Sequence, residues 1–217
     1  MEEGPPNPRT RGHRKREKTR QQLVAAGMRV LAEKGEGMTV SDVVVEADVS
    51  NGTFYNYFVD RDALFEALAE HLALSLAEAS AREPIADPAH RFARATLRMI
   101  LHAAEDETWA RGVLRLVGRP GAGVDLSRYL REDLAEGMEQ GRFDTGPDDA
   151  TLDQVAGLVM MTIRRIAAGH AEPDAPQRAV ERGLRALGMT PEEAKQIADD
   201  ALRSSVSIGA NLREIQR

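Results

Sequence analysis

Apolar positions recur at helical spacing along almost the whole chain. Leu23, Ala26, Gly27, Val30 and Leu31 stand at i, i+3, i+4, i+7 and i+8, one face of a first helix. The stretch "KGEG" ends it, with Gly35 or Gly37 free to take the left-handed position after the last turn. Thr39 then reads as the N-cap of a short second helix, with Asp42 where a capping box puts its acid, and that helix stops near Ala47. A turn over Asp48, Val49 and Ser50 leads into a third helix capped by Ser50. Asp60 caps a fourth, of about 20 residues, in which Leu64, Leu68, Leu72 and Leu76 repeat every four positions.

Beyond residue 83 the segment "EPIADP" breaks the pattern, and a helical body follows. Phe92, Thr96, Leu97, Ile100 and Leu101 form one apolar face, and Leu126, Leu130, Leu134 and Met138 another. The loop "GRPGAG" follows no apolar strand and lacks the Gly-Lys-Ser/Thr ending of a phosphate loop, so it reads as a connection between helices. Two helices are predicted at about 149 to 169 and 175 to 187. Thr190, Pro191 and Glu193 then fit the N-cap, N1 and N3 positions of a last helix.

Charge changes this picture of an ordinary helical protein. Residues 1–20 hold seven Lys and Arg against three Glu, net +4, so with a total of −6 the remaining 197 residues carry −10. A basic arm on an acidic body is the asymmetry of a protein that meets phosphate at one end. With no Cys there are no disulfides or thiolate metal sites. The Arg-rich start has no apolar segment behind it, and no uncharged apolar run reaches the ~20 residues of a membrane span. A cytoplasmic protein without a membrane partner is the expectation.

An amphipathic helix followed by two short helices around a tight turn describes a helix-turn-helix unit. Its residues, "MTVSDVVVEADVSNGTFYNYFVDRDALFEAL", resemble the N-terminal domain of the tetracycline-repressor (TetR) family, over about residues 14 to 70, with "VSNGTFYNYF" the most specific part. The resemblance implies an all-α homodimer. A three-helix helix-turn-helix DNA-binding domain would precede a helical ligand-binding and dimerisation domain, and the helices at 149–169 and 175–187 would pair with their copies. The chain divides accordingly into an arm over 1–13, a DNA-binding domain over 14–60 and an effector-binding and dimerisation domain over 61–217. Leu152, Val155, Ala156, Val159 and Ile163 are the face expected to meet the partner.

Four rings in five positions, Phe54, Tyr55, Tyr57 and Phe58, then have a division of labour. Phe54 and Phe58, four apart, pack inward, while Tyr55 and Tyr57 offer exposed hydroxyls to phosphates. Ser50, Asn51, Gly52 and Thr53 are small and polar, as close approach to a duplex requires. The recognition helix has no Lys or Arg, so bidentate reading of guanine is absent, and Asn51 and Asn56 are the side chains suited to adenine. Phosphate attraction falls to the Arg14–Arg20 segment and Arg61. Asp48 stands where the family usually has the turn Gly. The predicted DNA-facing set is Arg14, Lys15, Arg16, Thr39, Ser41, Ser50, Asn51, Gly52, Thr53, Tyr55, Asn56, Tyr57 and Arg61.

The sequence thus predicts a ligand-responsive regulator, a repressor that binds a palindromic double-stranded operator and is released by a small, largely apolar effector. The fourth helix is the expected transmitter. Met99, His102, Trp109, Tyr129, Met160 and Met161 combine apolar bulk with a few polar tips and are candidates for the pocket. The competing readings are an activator using the same DNA-binding domain and a helical enzyme. Against the latter, the five His have no metal-site spacing and no Ser sits in a nucleophile elbow. No motif calls for a cofactor.

Overall fold

The computed structural model describes residues 11–81, 85–117, 126–144, 146 and 148–215, with side chains left undescribed at a few positions inside helices. The described elements are helices: α1 (Arg11–Lys34), a 3-10 turn (Gly35–Gly37), α2 (Val40–Glu46), α3 (Asn51–Tyr55), α4 (Arg61–Ala81), α5 (Pro88–Glu105), α6 (Glu107–Val117), α7 (Leu126–Glu139), α8 (Asp149–Ala167), α9 (Ala175–Ala186) and α10 (Pro191–Ile215). Among them no helix is long and apolar enough to cross a membrane. α1 is already helical at Arg11, three residues before the boundary expected at 14. The loop "GRPGAG" lies outside the described residues.

Side-chain caps start the helices, those at Asp60 and Thr190 as predicted and those at Asp87 and Asp148 seen in the structure. The Ala63 N–H donates to Asp60 at 2.8 Å, the Ala89 N–H to Asp87 at 2.8 Å and the Thr151 N–H to Asp148 at 2.7 Å. Thr190 accepts from the Glu193 N–H at 3.3 Å at the start of α10.

Two cores result. In the N-terminal one, Leu23, Leu31, Met38, Val43, Phe54 and Leu68 are buried together, and Val113 and Leu116 of α6 join them. The body packs Phe92 and Leu97 of α5 against Leu134 of α7, Leu152 and Val155 of α8 and Leu184 of α9. Arg91 ties α5 to α7, donating from Nε to Asp133 at 2.6 Å and from Nη2 to Glu136.

Two apolar faces differ from expectation. On α8, Leu152, Val155, Val159 and Ile163 are at most 4% exposed and buried inside the same chain, so only Ala156 of the predicted partner-facing set is on the surface. The stripe is covered by α5, α6 and α9. On α7, Leu134 is buried but Met138 is 50% exposed, and after the helix the chain folds back so that Phe143 occupies the space beside Gly137.

That close approach can be tested. A Cβ on residue 137 would stand 2.2 Å from the Phe143 ring, so Gly137→Ala forces the ring to move. Urea denaturation should show a loss of about 1–3 kcal/mol, the usual cost of overpacking. Unchanged stability would mean that the ring does not occupy that space.

Candidate nucleic-acid interface

The elements predicted to face DNA are held by short-range hydrogen bonds. At α2 the Asp42 N–H donates to the Thr39 hydroxyl oxygen at 3.2 Å and the Thr39 N–H to Asp42 Oδ2 at 2.9 Å, a complete capping box. The Lys34 ammonium also bonds Asp42, at 2.5 Å. That bond, with those from Thr39, lowers the Asp42 carboxyl to about 2. Thr39 is thus engaged in the cap, and Ser41 is exposed in the first turn of α2.

The turn after α2 needs one residue in the left-handed region, and Asp48 supplies it at φ 52°. Gln22 of α1 steadies the turn, its amide donating to the Ala47 carbonyl at 2.6 Å. The Thr53 N–H then donates to Ser50 at 3.1 Å and starts α3.

These bonds set the rings. Phe54 and Phe58 are buried, and Tyr55 is 57% exposed. Tyr57 is not the fully exposed ring predicted: it is half-buried against the N-terminal core, with the Arg16 guanidinium 5.8 Å from its centroid. Between α1 and α3 lies an open cleft of about 530 Å³, lined by Lys15, Arg16, Thr19, Thr53, Asn56 and Tyr57. Five of these were predicted, from segments almost 40 positions apart. Thr19 was not, although it falls four residues after Lys15, on the same helical face, and donates to the Lys15 carbonyl at 3.1 Å. The lining holds two cations and no acid. Arg14, Ser50, Asn51 and Gly52 are exposed outside the cleft.

Arg61, half-exposed, also makes contacts within the chain. Its guanidinium donates to the carbonyls of Glu36 and Met38, each at 3.2 Å, and lies 5.7 Å from the Phe65 ring.

The six effector candidates lie on α5, α6, α7 and α8. Met99, Trp109 and Met160 are half-buried in the body, packed around Ile100, Ala103 and Val159. His102 is exposed, its ring 4.6 Å from that of Trp109. Met161, 50% exposed, lines a groove of about 330 Å³ between α8 and α9 with Leu158, Thr162, Arg165 and Arg178. Tyr129 is on α7, but its side chain lies outside the described residues.

Comparison with known proteins decides the family. Residues 23–68 match "Bacterial regulatory proteins, tetR family", and residues 87–200 match "Tetracyclin repressor-like, C-terminal domain". The chain belongs to the TetR family of transcriptional regulators. The HTH-type transcriptional regulator BetI of Burkholderia cenocepacia is 36% identical over 94 residues, 43% of this chain and 47% of BetI. The chain thus spans about half the length of the curated relatives it matches. The structure of RolR with its ligand resorcinol superposes with a TM-score of 0.63 at 32% identity, over 85% of this chain and 95% of RolR. TylP of Streptomyces fradiae, 20% identical over 85% of this chain and 98% of its own, shares the fold with a TM-score of 0.64. The α1–α3 unit is therefore the DNA-binding domain of a TetR regulator.

The capping box carries a pH signature. Because the folded Asp42 carboxyl titrates below its ordinary 3.8, its contribution to stability is present above that value and is lost as pH falls toward about 2. An NMR titration of Asp42 should give a midpoint near 2 that rises in Lys34→Met. A midpoint at 3.8 in the native chain would remove Lys34 from the cap.

Proposed function

We propose that this regulator is a cytoplasmic repressor that binds a pseudo-palindromic operator as a homodimer and releases it when a small, uncharged, ring-bearing ligand enters the body. The observation that carries the DNA-binding part is the α1–α3 cleft, where Lys15 and Arg16 stand beside the polar tips of Thr53, Asn56 and Tyr57. Cations of α1 meet backbone phosphates, and α3 presents Asn51, Asn56 and hydroxyls to base edges in the major groove. A two-fold dimer places its two recognition helices about one helical turn of DNA apart, ~34–36 Å, or a multiple of it.

The second copy fits the outward side of α8 and α9. Gly157 has nothing within 4 Å of where a Cβ would stand, so a partner helix can come close there, and Leu158 and Met161 supply apolar surface beside it. The ligand class rests on the likeness to RolR, whose bound resorcinol is a neutral aromatic diol. The apolar interior around Met99, Trp109 and Met160 suits the same chemistry.

Fluorescence anisotropy with a duplex that the full chain selects from a random library tests this. Affinity should fall linearly in log–log form with salt, and Lys15→Ala and Arg16→Ala should each flatten the slope by about 1. Arg61→Ala should leave the slope alone, since Arg61 is spent on Glu36 and Met38. Salt-independent binding would contradict the assignment.

Gly157→Arg should turn the dimer into a monomer in sedimentation and abolish tight binding to the two-fold duplex. A variant that stays dimeric would move the interface elsewhere. Resorcinol should release the duplex from the unaltered chain; release by aromatic acids but not by neutral phenols would contradict the ligand class.

A further inference from the structure

Most glycines inside the helices have a neighbour that explains the missing side chain. A Cβ would lie 3.1 Å from Leu68 at Gly27, 2.8 Å from Met28 at Gly112, 2.2 Å from Phe143 at Gly137 and 3.0 Å from Phe92 at Gly183. Gly52, in the first turn of α3, has no such neighbour: the nearest atom to a Cβ there would be Ser50 Oγ at 3.8 Å, an ordinary contact. Its φ lies outside the left-handed region, so the backbone does not require Gly either. Gly also destabilises a helix relative to Ala. Nothing described within the chain accounts for this residue.

Helix geometry sets what Gly52 faces. At about 100° per residue, positions 52 and 56 share one side of the helix and stand about 200° from position 54. Phe54 is buried in the N-terminal core, so Gly52 and Asn56 point away from it, and both are exposed. Asn56 also lines the α1–α3 cleft with Lys15, Arg16 and Thr53. On the proposed reading of that cleft as the DNA surface, the outward side of α3 meets base edges with an amide at Asn56 and bare backbone at Gly52. Thymine carries a C5 methyl group into the major groove, and its paired adenine offers N6 and N7 to an Asn amide, whereas guanine calls for an Arg or Lys that α3 lacks. We propose that Gly52 determines specificity for thymine. The absent Cβ leaves a recess that takes the C5 methyl group, Asn56 bonds an adenine of the same half-site, and the base pairs under α3 are A·T.

Deoxyuridine differs from thymidine only in lacking that methyl group, and it pairs with adenine in the same way. The duplex that the full chain selects from a random library is remade with deoxyuridine at one thymidine at a time. Anisotropy then gives its affinity for the native chain, Gly52→Ala and Lys15→Ala. The native chain should lose about fourfold in affinity at one position of a half-site, the worth of one buried methyl group, and keep its affinity at the others. Gly52→Ala should invert this. Its own methyl group occupies the recess, so it should bind the thymidine duplex roughly tenfold more weakly than the native chain does and regain part of the loss with deoxyuridine at that position alone. Thermal unfolding separates recognition from folding, because Gly52→Ala should keep the native Tm or raise it by up to about 4 °C. A selected half-site made of G·C pairs alone would overturn the proposal. So would a native chain indifferent to deoxyuridine at every thymidine, or a Gly52→Ala chain that binds thymidine and deoxyuridine duplexes equally weakly. A salt slope flattened by Lys15→Ala without any deoxyuridine effect sinks the thymine reading alone, whereas salt-independent binding sinks the DNA assignment and the thymine reading with it.

Discussion

Val113 and Leu116 of α6 lie at zero exposure among Leu23, Leu31 and Leu68, although the chain reaches them only after leaving the DNA-binding unit and passing through α4 and α5. The α1–α3 unit needs them. Three helices in under 50 residues bury too little surface to be more than marginally stable. Two fully buried aliphatic side chains contribute about 1.5–3 kcal/mol each relative to exposure. Gly112 against Met28 and Gly35 beneath Arg115 let α6 come near enough to deliver them. A body helix thus completes the core of the N-terminal unit.

On this support the interface itself is built from local chemistry. The Thr39–Asp42 box, the Ser50 cap and the left-handed Asp48 fix where α3 begins, and the buried pair Phe54 and Phe58 fixes which side of it faces out. On the proposed reading Lys15 and Arg16 bring positive charge to the cleft, while residues 21–217 carry −10. Attraction and base reading are, on that same reading, divided between two helices.

How much was legible follows from the range of each interaction. Caps act over three residues and apolar faces repeat every three or four, so Thr39, Ser50, Asp60 and Thr190, the helices they start, and the inward turn of Phe54 and Phe58 could all be read from the sequence. What covers a face could not. The stripe Leu152, Val155, Val159 and Ile163 has the same spacing whether a partner chain or α5 and α6 lies against it. A charge likewise does not state all its partners: Arg61, predicted to meet phosphate, is also bonded to two carbonyls of its own chain. Gln22 on Ala47 and Arg115 on Leu31 are single bonds across 25 and 84 positions, and they leave no periodic trace. For the effector candidates the sequence leaves two roles open, because apolar bulk marks packing as readily as binding, and Met99, Trp109 and Met160 are half-buried against the body core.

The claim on which everything functional rests is that the α1–α3 cleft is the surface that takes DNA. Hydrogen exchange of the full chain, measured with and without its selected duplex, addresses it directly. The account predicts slowed exchange concentrated at residues 15–20 and 50–57, with a smaller change at α6. Slowing confined to α7–α10, with the cleft unchanged, would contradict it.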